Sequence, residues 1–201
     1  MYRNTLIIFL LFLCCSACAQ PSFEGYIKYS ITVESFNNMT NEDLIEIYGV
    51  EQKIYYKNGN FRIETVGNQQ SWEIYLTRNN KQYLKYKNKS DIQIFSGEDE
   101  TRVLANVTEQ KNDRLFNGRN LSFLKVQYTD GSSSSYWYDP NIFIEPSYFQ
   151  NLKFAYLNLY WEAAKSPYLI HERITKDAKI TYKFEHIMET EVQKGKFQIQ
   201  K

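Results

Sequence analysis

The chain has 201 residues, 23% of them charged and 43% hydrophobic, with 24 Lys+Arg against 23 Asp+Glu. That is one domain's worth of sequence, long enough to bury a core without disulfide or metal staples. The even charge balance excludes a nucleic-acid binder working by bulk attraction, and 17 Tyr with 13 Phe exclude a disordered chain.

Met1-Tyr2-Arg3-Asn4 carries one positive charge, residues 6–15 are an unbroken apolar run, and Ser16-Ala17-Cys18-Ala19 is a small-residue site. This is the layout of a secretory signal peptide. The run falls short of the roughly 20 apolar residues a membrane span needs, and it lacks the polar face of a helix in a folded domain. Cleavage after Ala19 would leave residues 20–201 as a single β-rich domain. The alternative is a bacterial lipobox in which Cys18 acquires lipid and tethers the protein to the outer membrane. Both readings export the chain to the periplasm or cell envelope. Cys14, Cys15 and Cys18 are the only cysteines, so the mature domain has no disulfide, thiolate metal site or cysteine nucleophile. Loss of Arg3 brings the mature net charge to zero.

The mature sequence reads as strand after strand. From Phe23 to Glu34 polar and apolar residues alternate, with Phe23, Ile27, Tyr29, Ile31 and Val33 on one face. A short capped helix is predicted over residues 41–48, ended by Gly49. Residues 53–66 form a hairpin on a two-residue Asn58-Gly59 turn. It pairs Tyr56 with Phe61, Ile54 with Ile63, and the opposite charges of Lys53 and Glu64. In residues 71–86, Trp72, Ile74 and Leu76 are expected to share a face with Leu84 and Tyr86 across a three-residue loop. Ile92-Gln93-Ile94-Phe95 is a shorter strand.

Residues 120–138 give a hairpin turning at Asp130-Gly131, with Leu124, Val126 and Tyr128 facing Trp137, Ser135 and Ser133. The serine run 132–135 supplies almost no volume. It reads as an exposed edge strand or, more sharply, as space left in a concave surface. Phe154, Leu157, Trp161 and Ala164 then mark the apolar side of a helix opposite Asn158, Glu162 and Lys165, stopped by Ser166-Pro167. A long hairpin over residues 168–189 turns at Lys176-Asp177-Ala178, and Phe197-Gln198-Ile199 is a last strand. The economical assembly is mainly β: one curled antiparallel sheet of eight to eleven strands, a half-open barrel covered by one or two short helices.

The search for chemistry is mostly negative. His171 and His186 are the only histidines, and the hairpin parity puts His171 on the outer face and His186 on the inner one, where they cannot share a metal. His171-Glu172-Arg173-Ile174-Thr175 lacks the second His of a zinc-protease helix. No Gly-x-Ser-x-Gly elbow and no phosphate-binding glycine loop occurs. The four Asn-x-Ser/Thr matches would be chance in a bacterial chain. No enzyme and no cofactor is expected. The remaining signal is the aromatic excess. Packing accounts for most of it, and an apolar groove for a lipid-like ligand would take Trp72, Trp137, Tyr156 and Trp161 as its walls.

The segment Tyr136-Trp137-Tyr138-Asp139-Pro140-Asn141-Ile142 is similar to the W-[FY]-[TD]-P-x-I segment of GLPGLI-type bacterial envelope proteins. The opening Phe23-Glu24-Gly25-Tyr26-Ile27-Lys28-Tyr29 and the closing hairpin look like theirs too. The namesake Gly-Leu-Pro-Gly-Leu-Ile is absent, and Pro167-Tyr168-Leu169-Ile170 stands in its place. Such proteins are thought to resemble the LolA/LolB lipoprotein carriers, whose half-open barrel is closed by helices over a cavity for acyl chains. The resemblance implies a non-enzymatic envelope protein with a lipid or lipoprotein acyl chain as partner, and no functional residue to carry over. The alternative is a structural or protein-interaction module of the envelope without a small-molecule ligand.

Overall fold

A computed structural model describes residues 20–199. The expected signal segment and Cys18 lie outside the described residues. Eleven antiparallel strands form one sheet in the order β6-β5-β4-β3-β2-β1-β11-β10-β9-β8-β7. Every neighbour in the sheet but one is therefore a neighbour in sequence, and the exception is the pairing of β1 with β11. The sheet is curled and not closed. Side chains of β3 and β9 face the same hollow although four strands separate them.

The first strand, β1 (Gly25–Ser35), alternates as its sequence predicts, with Ile27, Tyr29 and Ile31 buried. Helix α1 (Asn41–Tyr48) begins with a capping box, Thr40 and Asp43 each satisfying the other's backbone N–H. Strands β2 (Glu51–Lys57) and β3 (Asn60–Val66) pair in the expected register, Tyr56 opposite Phe61 and Ile54 opposite Ile63. Asn58 at φ 48° and Gly59 at φ 74° make the tight turn that requires two positive φ angles. The charges go elsewhere: Glu64 takes Arg62 and Lys196 as partners, and the Lys53 ammonium lies 3.6 Å from the centre of the Tyr26 ring.

Three later hairpins keep their strands but change their loops, and each change moves side chains to the other face. Between β4 (Gln70–Leu76) and β5 (Lys81–Tyr86) the loop has four residues, a 3-10 turn over Thr77–Asn79 plus left-handed Asn80. Glu73 and Tyr75 consequently share a face with Leu84 and Gln82, while Trp72, Ile74 and Leu76 point the other way. Between β8 (Arg119–Tyr128) and β9 (Ser133–Tyr138) the Tyr128 N–H bonds to the Ser132 carbonyl, and Gly131 takes φ 83°. The loop is thus three residues, and Leu124 and Val126 face Tyr136 and Ser134 instead of Trp137 and Ser135. Between β10 (Tyr168–Ile174) and β11 (Ala178–Glu189) the turn shortens to Lys176-Asp177, because the Thr175 hydroxyl accepts the N–H groups of Asp177 and Ala178. His171 now faces Tyr182 inside the curl, and His186 lies outside, opposite Lys28. The expected placement of the two histidines is reversed.

Strand β6 (Ile92–Ser96) is one edge, and β7 (Leu104–Phe116) is the other. The serine strand β9 is interior rather than an edge, and Ser132 to Ser135 are all buried. The expected strand at 197–199 is absent. A 3-10 turn, Lys194–Phe197, carries the tail across the outer face, where Phe197 and Ile199 pack on Trp72, Ile74 and Leu76.

The segment between β9 and β10 covers the inner face. It contains a 3-10 turn at Pro146–Phe149, another at Phe154–Tyr156, and α2 (Leu157–Ala164). Positive φ at Ala155 and Tyr156 delays the helix, so Phe154 precedes it instead of belonging to its apolar stripe. The two sheet edges never pair, and the cover joins them. On the β4–β6 side, the Thr77 hydroxyl donates to the Tyr148 carbonyl at 2.6 Å and the Lys153 N–H to the Gly97 carbonyl at 2.6 Å. On the β7 side, the Tyr156 hydroxyl donates to the Arg102 carbonyl and accepts the Leu104 N–H, both at 3.2 Å.

Asp139 fixes the start of the cover. Its side chain, 3% exposed, accepts from Arg119 at 2.5 Å and from the backbone and side chain of Asn141 at 3.0 and 2.8 Å. Ser166, at the far end, donates to the Asp139 carbonyl. Asp139→Ala leaves the Arg119 and Asn141 donors unpaired, while the Ser166 bond to the backbone carbonyl stays. Arg119 is half in water, which limits the loss to about 2 kcal/mol, measurable as a lower urea midpoint with unchanged slope.

Candidate functional site

The curl and its cover enclose a hollow of about 360 Å³. Strands β2–β5 form one wall, β9–β11 the other, and the 154–161 segment the roof. The hollow opens beside α1, where Ile47 lines it and is 51% exposed.

Most of the lining is apolar or aromatic. Phe61 and Tyr56 come from the β2–β3 hairpin, Tyr136 and Tyr168 from the opposite wall, and Tyr160 and Trp161 from α2. The rings hold one another: Tyr136 lies 4.4 Å from Tyr160, and Trp161 makes an edge contact with Tyr56 at 6.2 Å. Burial pushes the Tyr56 and Tyr136 phenols up from their ordinary value.

A second group of lining residues is polar. Glu73 and Gln82 come from β4 and β5, His171 and Arg173 from β10, and Ser134 from β9. Glu73 and Arg173 lie five strands apart along the sheet, and the curl brings them to the same space. Both Glu73 and His171 are half-buried as whole residues, because they face empty space while protein surrounds their other sides. Burial raises the Glu73 carboxyl to about 7, against the pull of Gln70 and Arg173. Burial, with help from the Arg173 charge, lowers the His171 imidazole to about 3. His171 is sandwiched between Tyr136 at 4.4 Å and Tyr182 at 5.5 Å. The His171 Nε2 and the Arg173 Nε are buried without a hydrogen-bond partner. Gln82 approaches Glu73 at 3.4 Å, and no ion pair joins Glu73 to Arg173 among the described residues.

Of the four walls expected from sequence, Trp161 alone lines the hollow. Trp72 lies on the outer face under the tail, with the Arg62 guanidinium 5.6 Å from its ring. Trp137 also points outward, against Phe123 and Arg114, and its indole N–H donates to Asp113 at 2.7 Å. Tyr156 fastens the cover to the β7 edge. The polar group was missed because its members are a hundred residues apart and the loop lengths above reverse the faces of β4 and β10. One signal points to β4: Ile74-Tyr75-Leu76 is apolar on both faces, which marks a strand covered on both sides.

No protein-family model matches the chain, and no curated protein is significantly similar to it.

Proposed function

We propose that this is an exported, non-enzymatic envelope protein that holds one hydrophobic or amphiphilic ligand in the hollow under its cover. The supporting observation is the hollow itself, roofed by Tyr160 and Trp161 and floored by Tyr56, Phe61 and Tyr168. An empty apolar cavity of 150 Å³ takes a benzene, so about 360 Å³ holds roughly 14 non-hydrogen atoms. That suits one acyl chain or a small ring system, and it is too small for the several chains of a lipoprotein anchor. The half-open barrel with a helical cover supports kinship with the LolA-like carriers, and the basic-apolar-small pattern of residues 1–19 supports export with cleavage after Ala19 or lipidation at Cys18.

Native mass spectrometry of protein purified from its own host tests the reading. A bound mass that denaturation releases is expected, and the stripped protein should take up the neutral dye N-phenylnaphthylamine. Protein that is ligand-free from its host and also excludes the dye overturns it. A second reading rests on the sheet edges: Ile94 on β6 and Leu115 on β7 are 58% and 72% exposed, as a strand-pairing module would have them.

A further inference from the structure

The hollow has two chemically distinct ends, and the polar end has unused hydrogen-bonding capacity. Arg173 carries a permanent charge, its Nε has no acceptor, and its guanidinium has no ion-pair partner among the described residues. Buried polar groups are ordinarily paired, because leaving one unpaired forfeits the hydrogen bonds it had in water. His171 repeats the pattern at Nε2, two residues along the same strand and on the same face. The amide of Gln82, buried on the opposite wall, has only a long contact to Glu73. Arg173, Gln82 and, as its Nε2–H tautomer, His171 therefore line one space with donors that have no strong protein partner, and the aromatic end begins beside it. A neutral hydrocarbon would fill the aromatic end and leave these donors bare. A cation would find aromatic faces but would have to sit with Arg173.

We propose that the occupant is a single-chain amphiphile with an oxyanion head, carboxylate or phosphate, the head held by Arg173, His171 and Gln82 and the chain lying against Tyr56, Phe61 and Trp161. This rests on the reading of the hollow as a ligand site and goes further by naming the ligand's chemistry. Its size agrees, since a ten-carbon acid has about as many non-hydrogen atoms as the hollow admits.

Glu73 makes the binding depend on pH. The charged and titratable groups on the lining are Glu73 from β4, His171 and Arg173 from β10, and the phenols of Tyr48, Tyr56, Tyr136, Tyr160, Tyr168 and Tyr182. The last five phenols are pushed up by burial and stay neutral, His171 is neutral above about 3, and Arg173 stays charged. Glu73, at about 7, is the one that changes sign of interaction near neutrality: protonated it donates to an oxyanion, ionised it repels one. An acidic ligand should accordingly bind more tightly below neutrality.

The test compares decanoate, decyl phosphate, decylamine and decanol as displacers of N-phenylnaphthylamine from ligand-stripped full-length protein. One or both acids should bind at least about tenfold more tightly than decanol and decylamine, since a hydrogen bond to a charged group is worth about that factor. Which of the two acids is preferred tells a fatty-acid from a phosphate-monoester head. Arg173→Gln should remove the preference while leaving decanol affinity within about twofold. Glu73→Gln should make decanoate affinity equal at about pH 5.5 and about pH 8.5, where the unaltered protein differs by about tenfold. If all four compounds bind alike, or decylamine binds best, the oxyanion assignment is wrong and the hollow is a generic apolar site. If none of them binds and the dye is excluded, the ligand reading itself fails. Circular dichroism of both variants separates these results from misfolding, and the Glu73→Gln arm stands even where Arg173→Gln does not fold.

Discussion

Phe149→Ala should lower the stability of the protein by about 4 kcal/mol, in the middle of the range for a buried aromatic reduced to alanine. The residue is 0% exposed and lies where the cover meets the β3–β4 side of the sheet. Its ring stacks on Trp161 at 4.1 Å, and Tyr75 and Phe61 flank it at 5.9 and 6.4 Å. It does not line the hollow, so its loss opens a void behind Trp161 rather than enlarging the ligand space. That void cannot close easily, because Trp161 is also held by Tyr56 and Tyr160 and the backbone on either side is tied to Thr77 and Gly97. Phe149→Leu fills most of the volume and should lose under about 1.5 kcal/mol. Urea unfolding gives both numbers. Hydrogen exchange should show where the loss falls: amides of residues 142–165 gain exchange first, while β1, β2 and β11, paired on both sides, keep their protection. A loss below about 1 kcal/mol for Phe149→Ala would mean that the cover is not packed as a layer of the fold.

The predicted elements that survive unchanged are those in which two independent signals agree. In β2–β3, the Asn58-Gly59 turn and the alternation demand the same register, and the pairs fall where the sequence places them. In α1, the capping box and the terminating glycine bracket the same eight residues. In three hairpins the expected loop, chosen on alternation in two and on the Asp130-Gly131 turn in the third, is wrong by one residue, because what sets the loop is local hydrogen bonding that alternation does not report. The Thr175 hydroxyl shortens one loop, left-handed Asn80 lengthens another, and left-handed Gly131 lengthens the third. β7 was not seen as a strand at all. It is an edge, polar on both faces through most of its length, so it has no period-2 pattern to read. The turn that starts its hairpin was legible: Asn117-Gly118, at φ 49° and 75°, is the same dipeptide geometry as Asn58-Gly59.

The site was less legible than the fold for a related reason. Alternation assigns the more apolar set of a strand to the core, and in β4 the more apolar set is Trp72, Ile74 and Leu76. These residues are buried, but by the C-terminal tail on the outer face. The inner set of β4 contains Glu73, a carboxyl that packing alone would not select for burial. Its place opposite Arg173 is set by the curl of five intervening strand pairings, which no local pattern encodes. Three residues that oppose the folding rules, Glu73, His171 and Arg173, line one wall or the other of the same hollow, where a ligand would relieve them.

Glu73 and His171 should also leave a signature in stability that each hides in the other. A carboxyl raised from 4.5 to about 7 binds more protons folded than unfolded, so its contribution falls as pH rises through that window. An imidazole lowered from 6.5 to about 3 binds fewer protons folded, so its contribution falls as pH drops through its window. The windows overlap between 4.5 and 6.5, where the slopes are opposite and each approaches 1.4 kcal/mol per pH unit at full effect. The ligand-stripped protein is therefore expected to show a nearly flat stability between those limits. Both residues are only half-buried, which reduces each effect to about 2 kcal/mol across the overlap for either residue alone. Glu73→Gln removes one slope, so the variant should be more stable than the parent above pH 7 and lose about 2 kcal/mol between pH 6.5 and 4.5. His171→Phe, which keeps the stacking on Tyr136 and Tyr182, should gain stability over the same fall in pH. The double variant should be flat again. Urea midpoints at half-unit pH steps read all four curves. Flat curves for both single variants would show that neither group is withdrawn from water, and the hollow would then be a solvated cleft.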